Sequence, residues 1–137
     1  MTVAVAHQAT TTGARALALA AREAAYRDTT LAVVHISDSL DGDIAAASKA
    51  GISDAVDKAL ADADLEHVRW DVHLVAGGTD KSDVAGAILE LMKGLSPELL
   101  VIGARRRSPV GKAFLGSVTQ TLILEADVPV LVVQEPR

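Results

Sequence analysis

Short apolar runs of strand type alternate with longer amphipathic runs of helical type along the whole chain, and few folds accept that pattern. Val3-Ala4-Val5-Ala6 reads as a first buried strand. A helix is expected from about Thr12 to Arg27, with Ala14, Leu17, Ala18, Ala21 and Ala25 on its inner face. Leu31 to Ile36 reads as a second strand, and Ser37 to Gly42 as a polar loop. A helix is expected from about Ile44 to Ala63, with Gly51 a candidate break because glycine lowers helix stability. Trp70 to Val75 alternates in polarity, which suits a third strand towards a sheet edge. Gly77-Gly78 ends that strand, and Thr79 or Asp80 can cap the next helix. Val84, Ile88, Leu91 and Leu95 follow at helical spacing, with Gly94 placed for a left-handed end. Leu99 to Ile102 is continuously apolar and is expected in the sheet interior. A loop runs from Gly103 to Leu115, a helix from Ser117 to Ala126, and Val128-Pro129 leads into a fifth strand, Val130 to Val133.

Alternation of this kind predicts an α/β fold, an open five-stranded parallel sheet with helices on both faces, formed by one domain over residues 1–137. Ligands of such sheets sit beyond the carboxyl ends of the strands, where the strand order reverses. Half of the 137 residues are hydrophobic but one Trp, one Tyr and one Phe are the only aromatics, so the core must come from Ala, Val, Leu and Ile. That poverty argues against a base-stacking platform, and the net charge of −5 argues against bulk nucleic-acid binding. The absence of cysteine removes disulfides, thiol nucleophiles and iron–sulfur sites. No apolar run approaches the ~20 residues of a membrane helix, and the N-terminus lacks the basic and long apolar parts of a signal peptide. The expectation is a soluble cytoplasmic protein with no membrane partner.

The loop after the fourth strand departs from the acidic average. Arg105, Arg106, Arg107 and Lys112 lie between Gly103 and Gly116-Ser117 with no acid among them. Gly103 closes an interior strand where a side chain would obstruct a ligand, and Gly116-Ser117 opens a helix whose free N–H groups attract an anion. Two readings stay open: a phosphate cradle, or a solvated basic loop ending at a helix cap. The spacing is neither a P-loop nor a dinucleotide fingerprint.

The same residues resemble the universal stress protein family, whose nucleotide motif is Gly-x2-Gly-x9-Gly-Ser/Thr. Gly103 fills the first position, and Gly116 with Ser117 fills the last pair after Arg107 to Leu115. The flanks Leu100 to Gly103, Leu115 to Val118 and Val128 to Val133 are similar to the family as well, and the Arg105 to Lys112 version resembles an actinobacterial subgroup. The resemblance implies a Rossmann-like fold and a stress-response homodimer that binds ATP or a related adenine nucleotide such as cyclic AMP, without catalysis. By position, Ile102 and Gly103 would touch the nucleotide, and Gly116, Ser117, Val118 and Thr119 would hold phosphate. Ile36 would border adenine, and Ala6, His7 and Gln8 would occupy the first-strand loop. Arg105, Arg106 and Lys112 would compensate charge. Val130, Leu131, Val132 and Val133 would pair across a two-fold axis, which also covers an apolar edge. Two departures stand out: Arg106 replaces the second motif glycine, and the first-strand loop has no Asp. They support an alternative, a nucleotide-free dimeric interaction protein of the same fold.

Among the remaining candidates, His7 and His35 lie near the ends of neighbouring strands but have no third ligand at matching spacing. His7 is therefore expected on a pocket wall and His35 as a partly buried strand residue, with no metal assigned. His67 and His73 lack a helical partner, and Ser117 lacks a His/Asp pair for activation. Asp54, Asp57, Asp62, Asp64 and Glu66 read as a solvated face.

Overall fold

The structure, a computed structural model, describes residues 1–7, 11–37, 42–76, 81–104 and 117–134. The elements run β1 (Thr2–His7), α1 (Thr11–Tyr26), β2 (Thr30–Ser37), α2 (Gly42–Asp62), β3 (Trp70–Ala76), α3 (Lys81–Leu95), β4 (Leu99–Ala104), α4 (Ser117–Glu125) and β5 (Val130–Gln134). All five strands form one parallel sheet in the order β3-β2-β1-β4-β5. The expected architecture is therefore present, with β3 at an edge and β4 inside.

Alternation along each strand divides the core into two layers. Val3 and Val5 of β1, Leu31 and Val33 of β2, and Leu99 and Val101 of β4 pack against α1 and α2. Ala4, Ala32, Val34, Leu100 and Ile102 point the other way and pack with Val84, Ile88 and Met92 of α3 and Leu122 of α4. The small residues of β1 and α1 let sheet and helix approach closely, so a core without aromatic filling stays dense. In α2, Ile52, Val56 and Leu60 are buried at four-residue spacing, while Asp54, Asp57 and Asp62 are exposed on the other side, followed by exposed Asp64 and Glu66.

Three local expectations need correction. The buried face of α1 is Ala16, Leu17, Ala20, Ala21 and Ala24, and Ala14 is exposed. In a helix so rich in alanine, hydrophobic spacing fits more than one face, and only Leu17 is bulky enough to anchor it. The α2 helix passes through Gly51 without a break, since packing of Ile52 and Val56 outweighs a propensity loss of about 1 kcal/mol. The α3 helix likewise passes through Gly94, and Ser96 takes the left-handed position instead, at φ 46°. Its N–H donates to the Met92 carbonyl at 2.9 Å, and Pro97 then prevents continuation.

The ends of α1 and α2 use the same device. Asp28 and Asp64 have φ values of 51° and 60°. Thr29 N–H donates to Ala24 and Asp28 N–H to Ala25, and Leu65 N–H donates to Leu60 and Asp64 N–H to Ala61. Both are Schellman ends, with carbonyls satisfied by the following two amides. No described helix is long and apolar enough to cross a membrane.

Candidate functional site

Strand β1 pairs with β2 on one side and with β4 on the other, so the chain winds in opposite directions from this point. Parallel strands diverge there at their carboxyl ends, and a cleft opens. Its described walls are Ala6 and His7 of β1, Ile36 of β2, and Ile102 and Gly103 of β4. Thr12 and Gly13 of α1, Ile88 of α3, and Val118, Thr119 and Leu122 of α4 complete them.

Seven of the expected residues thus come together: Ala6, His7, Ile36, Ile102, Gly103, Val118 and Thr119. Ser117 is the first residue of α4. Gln8, Arg105, Arg106, Lys112 and Gly116 lie outside the described residues, as do the expected caps Thr79 and Asp80. Val130 to Val133 lie in β5 at a sheet edge, away from the cleft lining.

Thr12, Gly13, Ile88 and Leu122 were not legible as site residues. Ile88 and Leu122 are nearly fully buried and read only as core. Thr12 carried one usable signal, its place at the start of the first helix beneath a strand end. Its contact with Gly103 revises the reason for that glycine. A Cβ built on Gly103 would lie 2.8 Å from Thr12 Cγ2 and 3.4 Å from the Thr12 carbonyl oxygen. The missing side chain admits the α1 N-terminus to the strand, rather than clearing space for a ligand alone.

Two helix N-termini therefore face one cleft, since first-turn residues of both α1 and α4 line it. Neither first turn contains an acidic residue. The aligned peptide dipoles make both ends electropositive. The polar side chains of the described lining are His7, Thr12 and Thr119, with no carboxylate among them. The base of the cleft is aliphatic, through Ile36, Ile88, Ile102 and Leu122. An anionic head with a flat apolar body matches that division.

His7 is buried at 5% exposure, and its Nδ1 lies 3.2 Å from Nδ1 of the half-buried His35. Burial, and then the neighbouring His35, hold the His7 pKa below the ordinary 6.5. Both histidines thus occupy the surroundings expected from sequence, and in addition they touch. His67 is exposed and His73 half-buried.

The profile of the universal stress protein family matches residues 1–134. The chain belongs to that family. A universal stress protein of Mycolicibacterium smegmatis (strain ATCC 700084 / mc(2)155) is 52% identical over 52 residues, which are 38% of this chain and 40% of the relative. The match therefore spans less than half the length of that curated relative. A universal stress protein from Archaeoglobus fulgidus has a TM-score of 0.74 at 26% identity, covering 97% of this chain and 98% of that one. A universal stress protein solved in complex with cAMP has a TM-score of 0.71 at 21% identity, covering 99% of this chain and 98% of that one. At that identity the second likeness shows the shared fold.

Proposed function

We propose that this universal stress protein binds an adenine nucleotide, ATP or cyclic AMP, in the cleft between β1 and β4. The observation that carries the reading is the convergence of the α1 and α4 N-termini, neither with an acidic first turn, on a cleft with an aliphatic floor. Phosphate would sit at the start of α4, near Ser117, Val118 and Thr119, where amides and dipole favour an anion. The base would lie against Ile36, Ala6 and Ile102. Gln8, Arg105, Arg106, Lys112 and Gly116 enter the reading from the sequence motif alone. A family relative bound to cAMP supports the ligand class.

The role we assign is binding without efficient hydrolysis in a cytoplasmic homodimer. The dimer would use β5, an edge strand whose Leu131 is exposed; Ile123 and Leu124 of α4 are exposed as well. Covering such an edge removes a template for uncontrolled strand pairing.

The test begins with mass spectrometry of the purified protein for retained nucleotide, followed by calorimetric titration with ATP and cyclic AMP. Ala6→Leu, which pushes a branched side chain into the cleft, should weaken binding by about tenfold or more, or about 1.4 kcal/mol. Equal affinity in that variant, with unchanged circular dichroism, places the nucleotide elsewhere. Phosphate release from ATP above a protein-free control would replace the binding reading with an enzymatic one.

A second reading rests on Arg106 at the second motif glycine and on a first-strand end that carries His7-Gln8 and no Asp. It makes the protein a nucleotide-free interaction dimer. No retained nucleotide and no heat with either ligand would favour it.

A further inference from the structure

His7 and His35 are register partners on adjacent parallel strands. Each has the parity of the residues that face α1, Val3 and Val5 in β1 and Leu31 and Val33 in β2. Their rings therefore leave the same side of the sheet. The ring centroids are 5.4 Å apart with planes tilted by 40°, and the two Nδ1 atoms stand 3.2 Å apart. A single proton between them satisfies both nitrogens, one donating and one accepting.

We infer that the His7–His35 pair forms an open, two-imidazole site for a divalent late transition-metal ion of the zinc or nickel type. A tetrahedral ion with metal–nitrogen bonds of about 2.0–2.1 Å separates two ligand nitrogens by about 3.3–3.4 Å. The observed 3.2 Å is already close to that bite. On binding, the ion takes the place of the shared proton. The Nδ1–H bond breaks and its proton passes to solvent, solvent returns a proton to Nε2 of the same ring so that it stays a neutral imidazole, and both Nδ1 atoms donate lone pairs to the metal.

Two features favour this exchange. The strands fix both Cα positions, so ordering the ligands sacrifices little freedom. His7 also lines the cleft beside Thr12 and Gly13, so water or an anionic oxygen in the cleft can reach the remaining coordination positions.

Among the described residues no group of three or more His, Cys, Asp or Glu could hold a metal, so the described part of the site is the two imidazoles. Two imidazoles without carboxylates select against magnesium and calcium, which require oxygen donors. The inference does not depend on nucleotide binding, since both ligands are present in the unliganded chain.

The experiment titrates chelator-treated full-length protein with ZnCl2, NiCl2 and MgCl2 by calorimetry. In parallel, long-range proton–nitrogen NMR follows the imidazole nitrogens of all four histidines. Zinc or nickel should bind at one equivalent per chain, shift the Nδ1 signals of both His7 and His35, and weaken by about tenfold or more in His35→Asn. A His67→Asn/His73→Asn double variant should bind as the parent does, and MgCl2 should give no shift. The inference is overturned by no binding at millimolar metal, by shifts confined to His67 and His73, or by unchanged affinity in a folded His35→Asn. If His35→Asn does not fold, the nitrogen shifts in the parent protein decide.

Discussion

Gly103→Ala tests the contact that shapes one wall of the cleft. The added Cβ would come within 2.8 Å of Thr12 Cγ2, so either Thr12 rotates or the start of α1 lifts. Thr12 is only 5% exposed, which leaves it little room to rotate. Overpacking of a tight site costs about 1–3 kcal/mol. Gly→Ala offsets about 0.4–1 kcal/mol of that by restricting the unfolded chain. The expected net loss is about 0.5–2 kcal/mol. With a urea dependence of about 1.5 kcal/mol/M, the unfolding midpoint should fall by about 0.3–1.3 M. Thr12→Ser removes the clashing methyl, at a loss of about 0.8 kcal/mol for one buried carbon. In that background the alanine no longer collides, and Gly103→Ala should become neutral or stabilising. The double-mutant cycle should therefore show a favourable coupling of about 1 kcal/mol or more. A neutral Gly103→Ala in the parent, or effects that simply add, would refute close helix–strand packing as the reason for glycine here.

Asp28→Gly, at the left-handed end of α1, should stabilise the protein by about 0.5–1 kcal/mol, measured as a higher urea midpoint, because glycine adopts positive φ without a Cβ penalty. Burial keeps the folded His7 pKa below its unfolded 6.5, so the unfolded chain binds more protons as acid is added. Stability in chelator-containing buffer should thus be full above pH 6.5 and decline as pH falls below it; His7→Gln should flatten that decline, and an equally steep decline in the variant would contradict the assignment. Leu131→Lys, which puts a charge on the exposed β5 edge, should shift sedimentation from dimer to monomer at micromolar concentration, whereas a parent protein already monomeric there removes the proposed interface.

The sheet was legible because its signal is redundant. Val3 to Val5, Leu31 to Val34 and Leu99 to Ile102 are continuous apolar runs, and each is buried on both faces. The face of α1 was not legible, because alanine at 14, 18 and 25 carries no more hydrophobic weight than alanine at 16, 20 and 24. Gly51 and Gly94 misled for a related reason, since tertiary packing outweighs local propensity in helices this long. Within the cleft, strand-end residues followed from topology alone. The contacts between Thr12 and Gly103, and between His7 and His35, depend on register across distant segments, which no local spacing encodes.

The central position of β1 has a consequence for how the protein is made. Its first partner, β2, follows directly in the chain, but its second partner is β4, with Val3 opposite Leu99. During synthesis, β1, β2 and β3 can associate while β1 still presents an open flank. That flank closes only after residues 99–104 have emerged, and β4 in turn awaits β5. The late pairing joins Val3 to Leu99, the widest sequence separation between paired strands, and carries the largest loop-closure entropy in the sheet. The cleft lies at this seam, so the seam and the cleft can only be completed together. A nascent chain that stalls before β4 would expose the apolar flank of β1 and have no cleft for a ligand to stabilise.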